Sequence, residues 1–247
     1  MRAGVFLHYF RRAFSYPLYL AIFTGVPLGF VALSAFASAP GYDGLANAGA
    51  SVAGIMMVLG FQFFNTGMVS HFLYLDTRPP MRHRLAAAPC GMNVFVFSAV
   101  AANIVYALVA GLAVVGASSL IFDMHWGHPA VFGGAMALLC LIGALLSIAL
   151  FLLIESQAKS DAVHMVIAFG MFILVNIQLN VNIESTAARS ILENSSPLAI
   201  GFGAVVRSSD FFGGADMGGA LRGMAALGGI AAAMAAAVAA LARRRAK

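Results

Sequence analysis

The chain has 247 residues, 62% of them apolar and only 9% charged, with a formal net charge of +5. Soluble domains carry about 25% charged residues, so this composition excludes a water-facing globular fold. A nucleic-acid surface needs basic residues spread over a polar fold, and here lysine is confined to Lys159 and Lys247. Residues 2–16 place Phe6, Tyr9, Phe10 and Ala13 on one helical face and His8, Arg11, Arg12 and Ser15 on the other. That is the pattern of a short amphipathic helix lying in the headgroup layer, ended by Pro17. Apolar runs of spanning length follow near 18–37, 50–73, 93–121, 130–154, 162–183 and 221–242. The first run is read as a retained helix although Ala37-Ser38-Ala39 mimics a cleavage site. It is longer than a signal h-region, its leading segment is long, and Pro40 would follow the cut.

Orientation follows from the basic residues. With six spans and both ends inside, eleven of the fourteen Lys and Arg residues face the cytoplasm. Only Arg189, Arg207 and Arg222 fall outside, and the acids lean the opposite way. The expected fold is therefore an all-α polytopic membrane domain covering residues 1–247, N-in and C-in, in a cell's inner (plasma) membrane of bacterial type. The outer segment 184–220 is too long for a turn and too polar in places for a span. Its apolar pieces, such as Pro197 to Val206, predict short or re-entrant helices. The alternation Asn176, Gln178, Asn180, Asn182 has the period of a strand, but a lone strand in lipid leaves its backbone unpaired. A helix that buries these amides, or breaks there, is expected.

No phosphate-binding loop is present, because neither lysine follows a G-x-x-x-x-G stretch. Cys90 and Cys140 supply neither a disulfide framework nor metal spacing. His125, Trp126 and His128, near Asp123, read as an interfacial anchor rather than a metal site. His8, His71, His83 and His164 read as interfacial residues, and Glu155 and Asp161 as a solvated turn. No ionisable group falls in the middle of a span, which counts against a proton-coupled carrier. The polar residues within spans are neutral. Gln62, Asn65, Thr66 and Ser70 share one face of the second, and Asn176, Gln178 and Asn180 lie in the fifth. They must face protein or water. Interhelical hydrogen bonding and the lining of a translocation path are both compatible with that.

Between the second and third spans runs a short basic stretch, residues 76–89, Asp-Thr-Arg-Pro-Pro-Met-Arg-His-Arg-Leu-Ala-Ala-Ala-Pro. With the amphipathic start, six spans and Ser196-Pro197 before the last of them, the chain resembles the permease subunits of type-2 ABC exporters. Asp76 and Arg78 match that family's acid and Arg, and Leu85 with Pro89 its Leu-Leu-x-x-Pro exit, while Pro79-Pro80 stands where a Gly-Thr pair is usual. The resemblance implies an elbow helix at 2–16 and a cytoplasmic coupling segment, with Asp76, Arg78, Arg82, His83, Arg84 and Leu85 contacting a separate ABC ATPase subunit. ATP and Mg would bind that partner, and this chain would hold no cofactor and perform no catalysis itself. Two permeases, identical or paralogous, would form the path with Gln62, Asn65, Thr66, Asn176, Gln178 and Asn180. The expected substrate is hydrophobic or amphipathic: a drug, peptide, lipid or lipid-linked glycan. The alternatives are a secondary transporter that needs no ATPase and a polytopic membrane protein without transport function.

Overall fold

The computed structural model describes residues 3–37, 45–77, 92–154, 156–180, 185–211 and 213–245. Among the described residues there are ten helices and no strand. In chain order they are α1 (Ala3–Phe14), α2 (Pro17–Ala37), α3 (Leu45–Asn65), α4 (Met68–Thr77), α5 (Met92–Phe122), α6 (Pro129–Leu153), α7 (Gln157–Asn180), α8 (Thr186–Glu193), α9 (Pro197–Arg207) and α10 (Met217–Arg245).

Six stretches are long and apolar enough to cross a bilayer, the second formed jointly by α3 and α4 over Ala48–Asp76. They run from 20 to 29 residues, and at about 1.5 Å per residue each covers a hydrocarbon core of about 30 Å. These are the lengths and composition of a multi-pass membrane protein. Three edges differ from the sequence reading. The second stretch continues through Asp76, the fifth begins at Gln157, and the last begins at Met217. α7 runs through Asn176 and Gln178 to Asn180 as one helix, so the alternating amides make no strand up to that point. Asn182 lies outside the described residues.

Burial orders the bundle. The second stretch is the most enclosed, with 72% of its apolar window buried, against 11% for α2 and 17% for α7 and for α10. α6 is next at 50% and packs on α3, α4, α5, α7, α9 and α10. The second stretch and α6 therefore form the centre, while α2, α7 and α10 present long apolar faces outward. Helix association in lipid gains little from the hydrophobic effect and relies on close packing. Small residues permit it: a Cβ on Gly60 would stand 2.6 Å from the Phe172 ring, and one on Gly223 would stand 3.0 Å from Ala204 Cβ.

Two apolar clusters fill the interior. The larger joins Ile55, Leu59 and Phe63 to Met136, Leu139, Leu198, Phe202 and Leu227. The smaller joins Tyr9 and Ala13 of α1 to Phe72, Tyr106, Leu145 and Ile148. α1 thus lies across α4 and α5, with Phe14 edge-on to Tyr106 at 5.1 Å. Within the expected outer segment the described residues fold as two short helices. Ser185 caps α8, accepting from Ala188 N. Ser196 caps α9, accepting from Ala199 N at 3.1 Å, with Pro197 at the first turn. α9 is buried against α3, α6, α7 and α10, which accounts for its apolar sequence. Asp216 starts α10 by accepting from Gly219 N at 2.8 Å, while its own N–H donates to Arg207 O at 2.8 Å.

The loop between α5 and α6 corrects one expectation. Trp126 is not an interfacial anchor. It is folded inward and buried, edge-on to Phe132 at 5.5 Å and pressed close to Gly54. A left-handed Asp123 (φ 52) and Gly127 (φ 69) turn the loop back on itself, and His125 N donates to Ser51 Oγ at 3.2 Å. The interior takes the ring because Gly54 leaves room for it.

Candidate functional site

The polar chemistry of the bundle gathers in two places, both toward the end that carries α1. The first joins α1 to α4. Tyr9 OH donates to Asp76 Oδ2 at 2.5 Å, and Arg12 Nη1 donates to Asp76 Oδ1 at 2.7 Å. Asp76 is 4% exposed, and the Arg12 guanidinium also lies 5.2 Å over the Phe72 ring. The sequence pattern put Arg12 on the headgroup face of α1. Three residues on a 3.6-residue turn separate Arg12 from Tyr9 by only about 60°, so its long stem carries the charge round to the same carboxylate. Burial and the bond to Asp76 both raise the Tyr9 pKa. Burial is the largest single influence on Arg12 and works against its charge, but the bond to Asp76, the Asp76 charge and Tyr16 together outweigh it, so the Arg12 pKa is also raised. The phenol stays neutral and the guanidinium stays charged, as the pairing needs.

The second place is a break in the second stretch. Between α3 and α4 the hydrogen bonds shorten to the i→i−3 pattern: Thr66 N to Phe63 O, Gly67 N to Phe64 O, Val69 N to Thr66 O and Ser70 N to Gly67 O. Such a segment inside a helix marks a strained or hinged point. Hydroxyls cover its carbonyls. Thr66 Oγ1 donates to Phe63 O at 2.6 Å, and Ser70 Oγ (2.7 Å) and Ser147 Oγ (3.3 Å) reach Gly67 O. α7 packs on this break with its polar face. Asp161 Oδ1 lies 2.6 Å from Ser70 Oγ, and Gln157 Nε2 donates to Asp161 Oδ2 at 3.2 Å. The same amide lies 2.7 Å from His71 Nδ1.

One turn further along α7, His164 is 1% exposed and stacks on Phe63 at 6.0 Å. Gly67 makes room for it, since a Cβ there would meet the ring at 3.1 Å. Neither ring nitrogen has a hydrogen-bond partner, and Ser160 Oγ and Asn65 Oδ1 are also buried and unpaired. The Phe63 carbonyl acts on the imidazole but lies outside hydrogen-bonding geometry. His164 and Asp161 were expected at an interface and in a solvated turn. His164 instead faces the interior and Asp161 turns its carboxylate to Ser70 at the half-buried edge of the break, because α7 starts at Gln157 and carries them against α3 and α4.

Gln62, Asn65 and Thr66, expected to line a path, are fully buried within the protomer. Gln62 Nε2 donates to Phe23 O of α2 at 3.1 Å, Asn65 Nδ2 donates to Gln62 Oε1 at 3.2 Å, and Thr66 bonds its own helix. No free surface is lined by them in this arrangement. Asn176 and Gln178 are half-buried on α7, away from the Asp161 end, and the Asn180 side chain lies outside the described residues. Of the expected coupling residues only Asp76 is described. It is engaged by α1 rather than presented to a partner. Arg78, Arg82, His83, Arg84 and Leu85 lie outside the described residues. No group of three or more His, Cys, Asp or Glu side chains converges on a metal position among the described residues.

Sequence reasoning missed Tyr9, Arg12, Gln157 and His164. The signals were present: Asp161 and His164 share a face at i and i+3, and Asp76 is an acid closing an apolar run. No protein-family model, no curated protein and no solved structure matches the chain.

Proposed function

We propose that the protein is the permease subunit of an ATP-driven exporter, supplying the membrane path while a separate ATPase subunit hydrolyses ATP. The observation that carries this reading is the clamp of Tyr9 and Arg12 on Asp76. It ties an amphipathic surface helix to the last turn of the second span, immediately before the basic segment 78–89. A force applied to that segment from the cytoplasm would move α1 and the second span as one piece. The broken second span gives that movement a hinge. Two short helices before the last span, with α9 packed on α10, fit an outer vestibule that opens and closes. The outward apolar faces of α2 and α7 suit lipid and a second permease, and the apolar composition suits a hydrophobic or amphipathic substrate.

The test is co-purification from native membrane. A P-loop ATPase should accompany the wild-type chain and be lost from the Arg82→Glu/Arg84→Glu double variant. If that variant retains both the ATPase and export, the reading fails. A secondary transporter is the second reading, and a specific observation favours it: the half-buried Asp161 and buried His164 beside the break. Export from liposomes that contain this chain alone, driven by an ion gradient, would select it.

A further inference from the structure

Proton accounting at the break carries an inference that does not depend on which transport reading holds. Ser70 Oγ is within hydrogen-bond distance of two acceptors, Asp161 Oδ1 at 2.6 Å and Gly67 O at 2.7 Å. A hydroxyl has one proton and can serve only one of them. The neighbouring amide has no such shortage. Gln157 Nε2 carries two protons and faces two acceptors, Asp161 Oδ2 and His71 Nδ1. With His71 Nδ1 as the acceptor, that half of the network is complete. The arm with room for one more proton is therefore Asp161–Ser70–Gly67.

We propose that Asp161, Ser70 and His164 form a proton-binding site at the break in the second span. In the empty state the Asp161 carboxylate accepts from Ser70, and Gly67 O keeps the Ser70 N–H and the Ser147 hydroxyl. When a proton arrives from water it bonds to Asp161 Oδ1. The Ser70 O–H···Oδ1 bond is lost, an Asp161 O–H···Oγ bond replaces it, and the Ser70 proton turns to Gly67 O. One proton enters, one hydrogen bond reverses and one is gained at the break. α7 and α4 remain joined in both states, but the carbonyl that the broken turn exposes is covered by Ser70 only in the protonated one.

His164 supplies the inner limit of the site. Its two unpaired nitrogens lie one turn beyond Asp161 in an interior that otherwise presents Phe63 and Gly67. Buried polar groups without partners are rare and call for an explanation. The charge of Asp161 acts on the imidazole without bonding to it, so the neutralisation of that charge on proton uptake is felt at His164. Among the described residues, the ionisable groups in this network are His71 from α4, through Gln157, and Asp161 and His164 from α7 itself. α6 contributes Ser147, and α3 contributes the ring and carbonyl of Phe63. Asp161 is half-exposed, so water reaches the carboxylate from the α1 end while His164 stays dry.

The test uses the full chain in lipid nanodiscs. Infrared difference spectra on acidification should show a protonated-carboxyl band that is absent from Asp161→Asn, persists in Asp76→Asn, and moves in Ser70→Ala, where the bonded hydroxyl is gone. Nitrogen-labelled His164 should respond over the same acidification step, and that response should disappear in Asp161→Asn. An Asp161 band that Ser70→Ala leaves in place would show an ordinary solvated acid. A His164 signal indifferent to Asp161→Asn would equally overturn the proposal. Ser70→Ala removes one hydroxyl and leaves the packing intact, so it keeps the test decisive if the Asp161 variant folds poorly.

Discussion

Asp76→Asn should release α1 from the bundle without unfolding the spans. The carboxylate is reached by Tyr9 at 2.5 Å and by Arg12 at 2.7 Å, and the pair's side chains are 6% and 19% exposed for Asp76 and Arg12. A hydrogen bond to a charged group contributes about 1.5–3 kcal/mol, and removing one partner of a buried pair costs about 3–5 kcal/mol. Asparagine keeps an oxygen for Tyr9, and Arg12 can reach water, so the lower figure of about 3 kcal/mol applies. At about 1.4 kcal/mol per tenfold, local opening of α1 should become more frequent by about two orders of magnitude. Hydrogen exchange followed by mass spectrometry in nanodiscs reads this directly. The peptide covering Ala3–Phe14 should exchange faster by that factor while α10 peptides do not change. Unchanged protection of α1 would refute the reasoning, because its apolar contacts with α5 would then be sufficient to hold it.

Three further expectations follow from the same geometry. Tyr9 and Arg12 both have raised pKa values, so their contribution is complete below the unfolded values and is lost as pH rises. Protection factors of α1 should be constant through neutral pH and fall only beyond about pH 10, the ordinary tyrosine value; a fall nearer neutrality would place the control elsewhere. Gly60→Ala should lower thermal stability in detergent by about 1–3 kcal/mol, since the new methyl meets the Phe172 ring at 2.6 Å. Gly111→Ala should cost less, because its main obstacle is the flexible Met136 thioether; equal losses would contradict this ranking. Glu193→Gln should change stability by less than about 1 kcal/mol, as the Arg207–Glu193 pair is 42% and 28% exposed, and a larger drop in melting temperature would mean that the pair is screened from water.

Much of the architecture could be read from local pattern. Runs of apolar residues near 20 in length, Pro17 after an amphipathic stretch, and Ser196-Pro197 ahead of α9 are local signals, and each marks an element that is present. The polar site was less legible. Asp161 and His164 sit close to a turn, where charge is cheap, and nothing in one dimension says which way α7 faces. Gln62, Asn65 and Thr66 were recognised as one face of a helix, but that face meets α2 and α6 inside the protomer. Trp126 looked like an anchor because loops usually end at the headgroups, and only Gly54 on another helix reveals the space that takes its ring.

The six apolar stretches and the amphipathic start were determined by the sequence itself, because each depends on solvation and helix period over neighbouring residues. Tertiary structure decided everything that depends on which faces meet. It brought Tyr9 and Arg12 to Asp76 across more than sixty residues of chain, and it set the imidazole of His164 against Gly67 at a break between two helices. Polar side chains in a membrane interior are constrained to find partners, but which partners they find is set by the rotation of each helix about its axis, and the packing of all the helices together determines that rotation.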